Sequence, residues 1–192
     1  METLSVIADF IEAPGEAARR TRESPSIPAA LLAFLAAGTS VFLAQAVAGR
    51  GGTFWSLWIS WAIACLWHLV SGAAMTSFLH LSAEAVGGRG RVLSLFVLVG
   101  LSDLGWALAL PAVLIARVFF PEASWPSWIL LSLAGFLVLG LRARSISHNY
   151  GLGMGRSWVA VSIPYVGAAL MVGAFTSLAV FGLVSRLMRM AG

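Results

Sequence analysis

The chain has 192 residues, 59% of them hydrophobic and only 10% charged, with a mean hydropathy of +0.91. Soluble domains average about 45–50% apolar and about 25% charged residues. This composition therefore excludes a soluble domain, a disordered chain, a coiled coil and a disulfide scaffold, and it predicts a chain that lives in a bilayer. The net charge of +4 comes from 12 cations, all of them arginine, against 8 acids. No basic stripe with interleaved aromatics accompanies that charge, so it reads as loop arginines at a membrane surface, with the lipid bilayer and no nucleic acid as partner. The lone cysteine, Cys65, falls in an apolar run and has no second cysteine to pair with. At roughly 20 residues per membrane helix there is room for about five or six spans.

Residues 1–27 form the only long polar stretch. Their start is acidic and no apolar run follows at once, so no cleaved signal is expected. Leu4, Ile7, Ala8 and Ile11 recur at helical spacing, and Pro14-Gly15 then interrupts the pattern. This predicts a short amphipathic helix and a linker ahead of a transmembrane domain over residues 28–192. The polar face carries acids where in-plane membrane helices usually carry Lys or Arg, which favours packing of this helix under the bundle.

Five apolar runs follow, at 28–48, 54–81, 92–119, 126–141 and 157–184. Their uninterrupted length selects helices over barrel strands, which would alternate in short segments. The expected fold is all-α, a polytopic bundle of five transmembrane helices. With the N-terminus cytoplasmic, Arg19, Arg20, Arg22, Arg89, Arg91, Arg142, Arg144 and Arg156 fall inside, and Arg50, Arg117, Arg186 and Arg189 fall outside. That split of 8 to 4 predicts a cytoplasmic N-terminus and an external C-terminus. Trp55, Trp58, Trp125 and Trp128 would then mark the outer interface and Trp158 the inner one.

Asp103 is the sharpest polar signal. It lies 11 residues into the third run, so about 16 Å along the helix. A carboxylate that deep is costly and is expected to pair inside the bundle. His68, entering from the other side, reaches a similar depth. A His68–Asp103 contact that shares a proton or binds a cation is one reading; a structural polar pair, or acceptance from Ser102, is the other. Pro111 and Pro164 each remove a backbone hydrogen bond, freeing the carbonyls of Ala107 and Ala160, and are expected to kink their helices. Gly135, Gly140, Gly167, Gly173 and Ser177 read as close-packing positions. His80 and Glu84 share one helical face, and Gly87-Gly88 after them permits a sharp cytoplasmic turn. Two ligands at that spacing are a weak metal signal, so a pair orienting the turn is favoured. The chain has no G-x-S-x-G elbow, no H-E-x-x-H and no Cys/His cluster. No enzyme, cofactor or metal is expected.

Four stretches together resemble the Yip1 family of membrane proteins, in its short prokaryotic form. They are Ile7 to Pro14 with Glu16 and Arg19-Arg20, His80 to Gly90 with its Glu84 and double glycine, Gly100-Leu-Ser-Asp103 reaching to Pro111, and Leu152 to Pro164. The resemblance implies five membrane helices, a cytoplasmic N-terminus and a non-enzymatic role. Eukaryotic relatives organise vesicle membranes, contact Rab-type GTPases and other membrane proteins, and carry a long cytoplasmic N-terminal region where this chain has 27 residues ahead of the first run. The expected function is an integral scaffold or adaptor in a prokaryotic cytoplasmic (inner) membrane. Its partners would be lipid, other membrane proteins or a second copy of the chain. The alternative is a small transporter or permease for an ion, proton or lipid, using Asp103 and His68. Reporter fusions to the two termini are expected to report opposite sides of the membrane, and reporters on the same side would refute the arginine argument.

Overall fold

The computed structural model describes the backbone of residues 2–50 and 54–191, and every regular element among them is a helix. In chain order these are α1 (Glu2–Glu12), α2 (Pro14–Glu23), α3 (Ile27–Gln45) with a π-turn at its end (Ala46–Arg50), and α4 (Phe54–Ala85). Then come α5 (Val92–Asp103), a 3₁₀ turn (Leu104–Leu108), α6 (Ala109–Phe119), α7 (Trp125–Tyr150) and α8 (Met154–Ala191). Five stretches are long and apolar enough to cross a membrane: Ile27–Ala48, Ser56–Ala85, Val92–Phe119, Trp125–Tyr150 and Met154–Gly182. The side chains of Arg50 and Trp55, both used in the orientation argument, lie outside the described residues.

Several sequence-derived boundaries move: α4 runs on past Leu81 to Ala85, α8 covers Met154–Ala191 where 157–184 was expected, and two further shifts matter more. Pro14 does not close the N-terminal helical region. It opens α2 at the first helical position, where its missing N–H removes no bond and its fixed φ suits the helix. α1 and α2 are tied by Arg20 Nη1 to Asp9 Oδ2 at 2.6 Å. The apolar stripe of α1 is also rotated from the expected one. Phe10 is buried and Val6 and Ile7 pack on the core, whereas Leu4 and Ile11 remain 70% and 69% exposed. α2 buries Ala17, Ala18 and Thr21 and packs against α7 and α5. The second shift is larger. The fourth run does not end at Leu141, because α7 continues through Arg142 and Arg144 to Tyr150. Gly151, at φ 66°, then caps it in the left-handed conformation that a Cβ disfavours.

α3 is the centre of the bundle and touches α4, α5, α6 and the 3₁₀ turn. Ala29, Ala30, Ala33, Phe34 and Ala37 are fully enclosed on it. Small residues let neighbouring backbones approach, and the approach is exploited at chosen points. A Cβ at Gly72 of α4 would drive into the Phe34 ring, and one at Gly100 of α5 would come within 3.0 Å of the Ala30 backbone. The glycines expected from sequence to pack closely are mostly not the ones that do. Gly135 meets Trp106, but a Cβ at Gly140, Gly167 or Gly173 would have nothing within 4 Å.

Pro111 sits in the first turn of α6, where the preceding 3₁₀ turn has already broken the third span. The carbonyl of Ala107, freed by the proline, is not left bare. Ser40 Oγ of α3 donates to it at 2.8 Å and accepts from the Leu110 N–H at 3.1 Å. One hydroxyl from a neighbouring helix thus satisfies both groups that the break exposes. Pro164 lies inside α8, near its last buried residues. Ser40→Ala is expected to leave a half-buried donor and acceptor unpaired and to cost about 1 kcal/mol. That would appear as a lower apparent melting temperature in detergent, and an unchanged one would contradict this account.

Candidate functional site

The buried polar centre of the protein is built where α5, α7 and α8 meet. Asp103 ends α5, directly before the 3₁₀ turn, and its side chain is 5% exposed. It is met by Arg142 of α7, itself 9% exposed, whose Nη2 donates to Asp103 Oδ1 at 2.5 Å. The other arm, Nη1, donates to the Tyr165 hydroxyl of α8 at 2.5 Å. One guanidinium therefore links three helices. Its planar fork of donors suits this role, since it holds two acceptors in fixed directions at once.

The expected partner of Asp103 was His68, and the structure gives that place to Arg142. His68 lies on α4 within electrostatic reach of both charges. Its Nε2 is buried and makes no hydrogen bond, as is Nε of Arg142. The imidazole packs on α3 where Gly38 makes room, since a Cβ there would fall 3.2 Å from His68 Cδ2. Ser102 does not serve Asp103 either. Its hydroxyl donates to the Leu98 carbonyl at 2.7 Å and lies 3.3 Å from Ser145 Oγ of α7.

The turn after α4 forms a second polar cluster. His80 Nε2 is 3.6 Å from Glu84 Oε1, while His80 Nδ1 is 2.6 Å from the Tyr150 hydroxyl. Gly87 takes φ 89°, a conformation open to glycine. Gly88 and Gly90 lie under Tyr150, with no space for a Cβ at either. The Asn149 amide donates to the Arg91 carbonyl at 3.0 Å, and the Arg89 N–H donates to the Tyr150 carbonyl at 3.3 Å. The end of α7 thus clamps the α4–α5 turn, and His80 with Glu84 orients the tyrosine that does so. Among the described residues, no group of three or more His, Cys, Asp or Glu is placed to hold a metal ion.

Arg142, Tyr165, Ser145, Asn149 and Tyr150 were not anticipated as site residues. The sequence does hold a signal for most of them. Arg142, Ser145 and Asn149 recur at spacings of three and four, and all are buried on one face of α7. A continued helical period past Leu141 would have brought them inside.

Comparison of the chain with protein-family models, curated proteins and solved structures returns no match.

The ion pair predicts a non-additive response. Removing one partner of a buried pair strands the other charge and costs about 3–5 kcal/mol, whereas replacing both by apolar residues is often near neutral. Asp103→Leu alone is therefore expected to lower thermal stability sharply, and Asp103→Leu with Arg142→Met to recover most of the loss. Additive losses in the double variant would show that the pairing is not what holds these helices.

Proposed function

We propose that the protein is an integral membrane scaffold or adaptor of the Yip1 type, without enzymatic activity, set in a prokaryotic cytoplasmic membrane. Its N-terminus is cytoplasmic and its C-terminus external. The arginine asymmetry behind this orientation persists when Arg142, which is buried in the bundle, is not counted as a surface cation; the split becomes 7 to 4, from 8 − 1 against an unchanged 4.

The observation that carries the scaffold reading is the outer part of α8. Its first turns pack, burying Ser157, Ala160 and Val161. From Val166 to Phe181 every residue is exposed, on every side of the helix. A stretch of 16 residues spans about 24 Å, most of the roughly 30 Å hydrocarbon core. An adaptor needs such a helix, anchored at one end and free to pack with another membrane protein or a second copy.

Asp103 supports the same reading, because Arg142 compensates its charge within the fold. A transport reading draws on a different observation, the unbonded Nε2 of His68 and Nε of Arg142 beside that carboxylate. The two readings separate in two experiments. Photo-crosslinking residues at Leu170, Phe175 and Leu178 are expected to give discrete protein adducts in cells, and lipid adducts alone at all three would refute the scaffold. In liposomes, the native protein is expected to pass no protons or cations above background. Flux that His68→Gln abolishes, with the Asp103–Arg142 pair left in place, would establish the transporter instead.

A further inference from the structure

A crevice of about 360 Å³ lies between α3, α6 and α7, at the end of the bundle away from the His80 turn. Its walls are Val41 and Ala44 of α3, Ala109 and Val113 of α6, and Leu131 of α7. Trp106, on the 3₁₀ turn, projects into it and lies alongside Gly135, where an added Cβ would make an ordinary contact with the indole at 3.4 Å. The crevice is thus a consequence of the break in the third span. A straight helix over 92–119 would carry residue 106 at a different angle.

The rim is of another character. It holds Gln45, Ser124, Ser127 and one cation, Arg117, which is half-buried. Arg117 donates to the Ala48 carbonyl at 3.1 Å and to the Pro121 carbonyl at 3.2 Å. Both acceptors are neutral. Among the described residues no carboxylate comes within ion-pair distance of it. Its position is fixed by the two carbonyls, and three of its five N–H donors are free of those bonds.

We infer that this crevice binds a long-chain carboxylate, a single acyl chain lying along the apolar walls with its carboxylate on Arg117 at the rim. Three features select this occupant. The walls are hydrocarbon and indole, so the buried part of the ligand is apolar. The volume is at the small end of the range of about 300–1,000 Å³ for small-molecule pockets, room for one chain and not two. The rim offers one guanidinium, which matches the single charge and planar oxygens of a carboxylate. The inference stands apart from the scaffold reading and from the Asp103 centre, sharing no residue with either.

The test uses the full chain in nanodiscs of zwitterionic lipid, with Trp106 and Trp128 as reporters. The probes are a brominated long-chain carboxylate and the alcohol of the same length and bromine position, both of which quench nearby indoles. The native protein is expected to show saturable quenching by the carboxylate with an apparent affinity about tenfold above that for the alcohol, the difference a charged hydrogen-bonded contact makes. Arg117→Gln should erase the gap between the two probes. Ser127→Phe, which narrows the rim and leaves Arg117 in place, should weaken both. Replacing Trp106 and Trp128 by Phe should remove the saturable component. Equal affinity of the two probes for the native chain would overturn the inference without any variant, as would saturable quenching that survives loss of both indoles.

Discussion

The bundle depends on one buried ion pair. Asp103 and Arg142 are each nearly closed to the surface, and neither charge would be tolerable there alone. Two ions removed from water lose several kcal/mol each, so their mutual attraction must be strong and well aligned to offset that loss. Arg142 meets this demand with two directed bonds, one to the carboxylate and one to Tyr165. The consequence is geometric as much as energetic. α5, α7 and the start of α8 are fixed in register, because a slide of one turn would separate the charges.

The second constraint is the backbone. The third span is interrupted after Asp103 by the 3₁₀ turn and Pro111. An interrupted helix leaves polar groups that its surroundings must satisfy. Ser40 supplies both missing partners from α3. This lets the chain keep a break beside its most polar residue, and the same break turns Trp106 toward the crevice on the other side. The polar centre and the apolar crevice are two outcomes of one local irregularity.

At the opposite end, the α4–α5 turn is held by the last residues of α7. Tyr150 covers Gly88 and Gly90, while Asn149 bonds the Arg91 carbonyl. α7 therefore reaches from the crevice rim through the ion pair to the turn, and it organises three sites along its length. α8 contrasts with it. Its first turns join this frame, whereas Val166 to Phe181 are exposed all round the helix. The chain is thus tied to its neighbours along α7 and exposed along the outer part of α8.

Composition and periodicity alone determined the all-helical class, the number of long apolar helices and the two strongest irregularities, Asp103 and Pro111. These are properties of single segments, since apolar length, a lone carboxylate and a missing N–H act locally. The helical ends were less legible. Arg142 read as the end of the fourth run because a charge is usually excluded from an apolar helix, and only the tertiary partner that neutralises it explains why it stays inside. The same holds for His68 against Arg142 as partner of Asp103. Depth along a run gives how far a residue lies from its end but not which way it faces, and facing is decided by how helices rotate against one another. Which glycines make close contacts was settled in that way too. Gly72 and Gly100 face α3, whereas a Cβ at Gly167 or Gly173 would meet none of the described residues within 4 Å. Sequence thus specified the helices and their polar exceptions. Tertiary structure alone decided the pairings, because a pairing is a property of two segments whose relative rotation and register neither encodes by itself.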